Sequence, residues 1–412
     1  MVASYANPYK PGAGHSPPYL AGRTQERTEF ERLLTQDTIL ENLVLTGLRG
    51  VGKTVLLDTF RPLAHEAGWL WVGTDMSEAA SLTEDAIAKR LLADLAAVTS
   101  GIVFAVESYR GMGFVTSATT LQRKLDYAAL CEIYDQTPGL ASDKLKQVLE
   151  IAWGILSASS GKFVGLVFAY DEAQNLSDNA KQGQFPLSLL LDVFQSLQKR
   201  GVRFMLALTG LPTLFPKLVD ARTFAERMFR VVTLDRLNVD ESRDAVLRPL
   251  TSAQCPIQFD EEAVRLIVVS AGGYPYFLQF ICRETFEALL VNAQLAGPAH
   301  PVPIEAITRK LDSDFFVGRW ARITDRQRDL LMAAAIVVSR SKSDEFSVND
   351  IVGISSDGST QKPFSASHAN QLLSKLYAIG LVYKNRYGRY AFAVPLFDQF
   401  ILRQAPSPAF TS

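Results

Sequence analysis

The chain is poor in the residues that build disulfide and transition-metal sites. Its 412 residues include three cysteines and four histidines. Cys131, Cys255 and Cys282 are far apart and odd in number, which fits neither a disulfide framework nor a paired-thiolate site. His15, His65, His300 and His368 are equally scattered, so no cluster of protein ligands for such a metal is expected. Long apolar runs are also missing. No segment reaches the roughly 20 residues that cross a bilayer, and the N-terminus lacks the basic-then-apolar pattern of a signal peptide. The expectation is a cytoplasmic chain without membrane contact. An excess of one charge is absent too, since 42 Lys+Arg stand against 43 Asp+Glu. A uniformly basic nucleic-acid binder is therefore excluded, and any such contact needs a local patch. There are no internal repeats and no long low-complexity tracts.

What is present is an ordinary globular balance, with 48% hydrophobic and 21% charged residues. The length suggests two or three domains. Residues 1–21 hold four prolines and two glycines, and read as an extended N-terminal arm. Helix is expected over 25–34, 55–65 with a bend at Pro62, 84–97, 143–157 and 187–199. Buried strands are expected over 43–46, 69–72, 163–170 and 204–209. The run FVGLVFAY at 163–170 is apolar on both faces, as a central parallel strand requires. Residues 102–135 break this alternation, with extended runs at 102–106 and 113–116 and an ambiguous stretch at 125–134, and read as an insertion. The alternation predicts a doubly wound α/β sheet with a ligand at its carboxyl edge.

Gly47-Leu48-Arg49-Gly50-Val51-Gly52-Lys53-Thr54 completes the pattern GxxxxGK[ST] between an apolar strand and an apolar-faced helix. The glycines allow backbone N–H groups to surround phosphate oxygens. The helix that follows offers the positive end of its dipole. Lys53 would neutralise the β- and γ-phosphates, and Thr54 would give Mg²⁺ a hydroxyl. ATP and Mg²⁺ are the expected cofactors. Asp171 and Glu172 end the strongest strand, where two adjacent acids are costly without a cation or water to use them. Asp171 would join the Mg²⁺ shell and Glu172 would polarise the attacking water.

Together these residues resemble the AAA+ superfamily, in the branch of origin-recognition-like and archaeal-type ATPases, with some similarity to STAND signalling NTPases. The resemblance spans roughly residues 17–400. Leu20-Ala21-Gly22-Arg23 with Glu26 and Phe30 looks like the family's GRxxE box, which implies that Gly22 and Arg23 help seat adenine. Asp171-Glu172-Ala173-Gln174 looks like its Walker B sequence, and Thr209 matches the sensor 1 position. Arg227, ahead of Arg230 as second choice, lies where the family carries an arginine finger that acts on a neighbouring subunit, which implies a homo-oligomer. Ala271-Gly272-Gly273-Tyr274-Pro275-Tyr276 stands at the sensor 2 position. The usual arginine is missing there and a Gly-x-Pro element replaces it, so that Tyr274 and Pro275 would pack on adenine.

The resemblance implies an AAA+ α/β core over 22–237, a helical lid over 238–315, and a winged helix-turn-helix over 320–403, followed by a tail at 404–412. Lid helices are expected over 241–247, 261–270 and 276–292, with a break at 296–302. The C-terminal unit would hold helices over 325–338, 348–352 and 367–379, then strands over 381–384 and 390–394 around a turn at 387–388. No acid occurs between Asp357 and Asp398, while Lys362, Lys375, Lys384, Arg386 and Arg389 do, interleaved with four tyrosines. That local bias suits double-stranded DNA phosphates, with Lys375, Lys384, Arg386 and Arg389 as contacts. His368, Asn370, Gln371 and Ser374 would face a groove.

Two functions follow. One is an ATP-hydrolysing regulator that assembles with ATP and binds DNA. The other is a nucleotide-controlled switch of STAND type, whose winged helix is an internal clamp and whose target is a protein partner. A metabolic kinase is disfavoured, because the chain offers no acceptor-substrate domain.

Overall fold

The strand expected at 163–170 forms over Gly165–Tyr170 and is buried at every position. A computed structural model describes residues 6–12, 14–109, 119–158, 163–252, 257–294, 302–341, 343–359, 362–386 and 388–404. The expected run at 113–116, most of the break at 296–302, Tyr387 and nearly all of the tail lie outside these residues, as do Cys255 and His300.

The chain divides into two compact units. One comprises Thr24–Thr46 and Leu56–Thr233. Its elements run α1 (Thr24–Leu34), β1 (Asn42–Gly47), α2 (Lys53–Glu66), β2 (Trp69–Val72), α3 (Glu84–Thr99), β3 (Val103–Tyr109), β4 (Thr119–Lys124), α4 (Tyr127–Gln136), α5 (Ala141–Ala158), β5 (Gly165–Tyr170), α6 (Pro186–Lys199), β6 (Phe204–Gly210), α7 (Leu214–Ala221), α8 (Ala225–Met228) and β7 (Phe229–Leu234). The sheet order is β2-β5-β6-β1-β7. The pairings β2–β5, β5–β6 and β6–β1 are parallel, so these strands present their carboxyl ends at one edge. One face packs Phe30 of α1 on Phe60 of α2, with ring centroids 4.3 Å apart. On the other face Phe168 meets Phe194 and Phe204 edge-on. Asn42 fixes the register of β1. Its side chain accepts from Leu206 N–H at 2.8 Å and donates to the Met228 carbonyl at 3.1 Å. β3 and β4 pair antiparallel as a two-stranded sheet of their own, and α4 follows.

The other unit comprises Met1–Arg23, Gly47–Val55 and Leu234–Ser412. Its contact units therefore cut across the expected boundaries, because residues 47–55 group with the C-terminal half. Its helices begin with α9 (Val239–Ser252), α10 (Glu261–Ala271), α11 (Pro275–Gln294) and α12 (Ile304–Leu311). A π-helical turn (Asp312–Val317) leads into the short α13 (Gly318–Trp320). Then come α14 (Asp325–Ser341), β8 (Glu345–Phe346), α15 (Val348–Ile354), α16 (Ala366–Ala378), β9 (Val382–Arg386), β10 (Arg389–Phe392) and α17 (Phe397–Arg403). β8, β10 and β9 form a small antiparallel sheet. One hydrophobic cluster joins these elements, from Val246 through Phe277 and Phe316 to Phe400. Residues 6–12 have no helix, as the prolines predict, but they are packed. Tyr9 is buried, stacks on Phe259 and donates its hydroxyl to the Val246 carbonyl at 2.5 Å.

Among the described residues no helix is long and apolar enough to cross a membrane. Neither Cys131 nor Cys282 is in a disulfide.

Candidate nucleotide site

The chain leaves β1 at Gly47 and enters α2 at Lys53. Between them Gly50 and Gly52 have φ of 79° and 93°, a region that a side chain resists. At Gly47 a β-carbon would stand 2.6 Å from the Leu234 carbonyl oxygen. Only glycine fits these positions, so the motif is required by the backbone as well as by its ligand. Val51 is buried and anchors the loop. Lys53 is also buried, and its Nζ donates to the Gly47 and Leu48 carbonyls, each at 2.9 Å. This ammonium is held inside its own loop by two carbonyls, the ready position for phosphate oxygens.

Arg23 takes a place that the sequence did not reveal. It is buried, and its Nη2 donates to the Val51 carbonyl at 3.0 Å and the Asp235 carbonyl at 2.9 Å. Arg23 thus splints the phosphate loop to the strand exit after β7. The neighbouring Gly22 has φ of 63°, and a β-carbon there would collide with the Glu241 carboxylate. The lid start is also tied to the loop, as Tyr276 N–H donates to the Gly50 carbonyl at 3.2 Å. Tyr274 meets Phe277 edge-on, and its hydroxyl is pushed up to about 12, first by burial. The charges around it are Arg236, Asp344 and Asp398.

In the other unit, Asp171 continues β5 and forms a parallel bridge with Asp75. Asp171 is buried and accepts from the Thr209 hydroxyl and from Glu172 N–H. The structure therefore brings together Asp171 and Thr209, which lie 38 positions apart in sequence. Glu172 is exposed and has φ of 51°, one of two described non-glycine residues in the left-handed region. That conformation costs about 1–2 kcal/mol, and such strain gathers at functional positions. Gln174 donates to the Glu172 carboxylate and accepts from Leu211 N–H at 3.2 Å, which links the ends of β5 and β6. Behind Asp171, the buried Tyr170 hydroxyl donates to Asp94 at 2.8 Å, and Arg90 also donates to Asp94.

Two further acids at this edge escaped the sequence reading. Asp58 on α2 has its carboxyl raised from the usual range by burial, opposed by Arg61, with Asp171 and Asp75 raising it further. Asp58, repelled by Asp75 and by the buried Asp171, belongs to a group of three carboxylates that suits a bound cation. Among the described residues no three such side chains close into a metal cage on their own. A Mg²⁺ held mainly by phosphate and water, with one or two protein ligands, fits that arrangement.

Arg227 is exposed and makes no ion pair among the described residues, whereas Arg230 Nε lies 3.1 Å from Glu29 Oε2. On α16, Asn370, Gln371, Ser374 and Lys375 are exposed and His368 is half-buried. The opposite face buries Ala369, Leu372, Leu373 and Leu376. Lys384 is exposed on β9. Arg389 is already paired with Asp350 at 3.1 Å, and the Arg386 side chain lies outside the described residues.

The sheet order, the glycine loop between β1 and α2, and the acid pair at the end of β5 are those of the P-loop fold of AAA+ architecture. Residues 19–219 match the family model of the AAA ATPase domain. Residues 313–401 match a domain family of unknown function, DUF8462. The chain is similar in fold to a Walker-type ATPase of Pyrococcus abyssi, with 16% identity and a TM-score of 0.56 over 93% of this chain and 96% of that one. It is similar to the ORC2 protein of Aeropyrum pernix in ADPNP–ADP complexes, with 12% identity and a TM-score of 0.52 over 95% of each chain. The ADP form of that protein gives 12% identity and 0.53 over 96% and 98%. No curated protein matches the chain.

Proposed function

We propose that this chain is an ATP-binding and ATP-hydrolysing regulator of the origin-recognition-like kind, acting in the cytoplasm as a homo-oligomer. The carrying observation is the preformed phosphate loop, with Lys53 Nζ caged between the Gly47 and Leu48 carbonyls. Residues 47–54 take the phosphates, and Lys53 moves from these carbonyls to phosphate oxygens. Thr54 and Asp171 are the residues that would hold Mg²⁺, which would supply charge neutralisation to the phosphates. Thr209 holds Asp171 in place, and Glu172 orients the attacking water and receives its proton. Gly22 and Arg23 set the loop, while Tyr274 and Pro275 close the lid side. Arg227, exposed and without a carboxylate partner among the described residues, is offered to the γ-phosphate of a neighbour. The neighbour in fold that carries ADPNP and ADP supports this reading.

The order α14, β8, α15, α16, β9, β10 supports a winged-helix reading, in which α16 would be the recognition helix and β9–β10 the wing. Duplex DNA is its proposed ligand, through Lys375, Lys384 and Arg386. Arg389 contributes only after it leaves Asp350. A salt-titrated duplex-binding assay with and without ATP tests this part. Affinity should fall steeply with salt and drop on Lys375→Ala with Lys384→Ala; salt-independent or absent binding contradicts it.

For nucleotide, equilibrium binding of ATP–Mg²⁺ to wild type and to Lys53→Ala is the direct test. Wild type should bind and Lys53→Ala should not. Equal affinities would remove the loop from the account.

One observation favours the switch reading as a second choice. Leu396, in the left-handed region at φ 58°, places Cδ2 3.0 Å from where a β-carbon of Gly272 would be, and Asp398 and Tyr383 surround Tyr274. The Gly-x-Pro element thus packs on the C-terminal elements, as a clamp does, with a protein partner as the released target.

A further inference from the structure

The phosphate loop carries a side chain that its motif does not require, Arg49. It is exposed, and its Nη2 lies 3.6 Å from where a β-carbon of Gly380 would stand, at the end of α16. A second arginine is brought to the same loop through a chain of contacts. Tyr276 N–H holds the Gly50 carbonyl, and the Tyr276 ring lies 5.4 Å from Phe315. The Arg319 guanidinium sits over that Phe315 ring at 4.4 Å and donates to the Phe315 carbonyl. Arg322 follows one turn later, its N–H donating to the Arg319 carbonyl at 3.3 Å.

None of the three makes an ion pair with a carboxylate among the described residues. Arg319 is half-buried, and it is held below the usual guanidinium range by burial, then by the charges of Arg49 and Arg322. Arg319, fixed over an aromatic ring and repelled by both Arg49 and Arg322, is placed to take an anion together with them. The sequence also lacks the sensor 2 arginine that would reach the terminal phosphate from the start of α11.

We propose that Arg49, Arg319 and Arg322 form a site for the terminal phosphate of a nucleoside triphosphate, replacing the missing lid arginine with one residue from the loop and two from the segment after α12. This rests on the nucleotide reading above and adds to it a discrimination of triphosphate from diphosphate. Arg49 favours nucleotide over DNA phosphate as the ligand, because it stands two residues from Gly47 in the loop itself. Contact between Arg49 and the end of α16 would make the C-terminal elements sense that phosphate.

The test compares a non-hydrolysable ATP analogue with ADP, both with Mg²⁺, by equilibrium titration of the full chain. Arg319→Ala should lose tenfold or more in affinity for the triphosphate and keep its affinity for ADP. Arg49→Gln, at an exposed position that does not endanger folding, should show the same selective loss. Arg319→Lys should recover part of it. Unchanged triphosphate affinity overturns the proposal, and so does an equal fall for both nucleotides, which would mark a structural role. A fall in duplex-DNA affinity at constant nucleotide affinity overturns it in favour of a DNA contact. Absence of all nucleotide binding in wild type overturns the nucleotide reading itself and this site with it.

Discussion

Arg23 shows how a single side chain can act through the backbone. Its guanidinium satisfies two carbonyls, of Val51 and Asp235, in a buried setting. Removing a charged donor leaves both acceptors unpaired, at roughly 1–3 kcal/mol each. Arg23→Ala should lower the melting temperature and weaken ATP and ADP binding alike, since it loosens the loop and touches no single phosphate. Thermal denaturation beside titration with both nucleotides checks this; a loss confined to the triphosphate would show direct contact instead. At this scale the glycine loop was legible from a motif of fixed spacing, and the place of Asp171 and Glu172 at a strand end from the apolar run before them. Arg23 was legible only as part of a box. Asp58 and Asp75 were not, since only the bridge between residues 75 and 171 brings them beside Asp171.

Elements were legible where burial forces a pattern. β5 and β6 are buried at every position and read directly as central strands. α16 read from its leucine face. The short α12 and α17, with 8 and 7 residues, gave too little period to read. The π-helical turn at Asp312–Val317 has no sequence signature of its own, and its phenylalanines are placed by the ring cluster around Phe316. α17 also carries a pH dependence. Burial first, and then Asp344, raises the Asp398 carboxyl above 3.8, against the pull of two backbone N–H groups and Arg403. A raised carboxyl is favoured neutral in the fold. Its contribution is whole below pH 3.8 and is lost as pH climbs through the folded value. Asp398→Asn should therefore be more stable than wild type at pH 7, with the difference vanishing in acid. Melting curves across pH 4–7 follow it, and a neutral-pH destabilisation would show that the charge is needed.

For the whole molecule, the sequence order of strands and helices was sufficient for the α/β sheet. The two compact units were not legible, because residues 47–55 join the C-terminal half through Arg23, Tyr276 and Arg49 rather than through sequence neighbours. Arg227, exposed and without an ion pair among the described residues, belongs to this scale. If it completes a neighbour's site, Arg227→Ala protein mixed with Lys53→Ala protein should recover part of the ATPase rate that each lacks alone. No recovery at any ratio, with both variants assembled, would place the finger elsewhere.

The central claim of the proposed function is that Lys53 is needed to bind ATP and Glu172 to turn it over. The most direct measurement is bound nucleotide and released phosphate in the same samples of wild type and Glu172→Gln. The account predicts that Glu172→Gln binds ATP as wild type does and loses at least about a hundredfold of its phosphate release, as removal of a general base does. Equal phosphate release from the two proteins would contradict it.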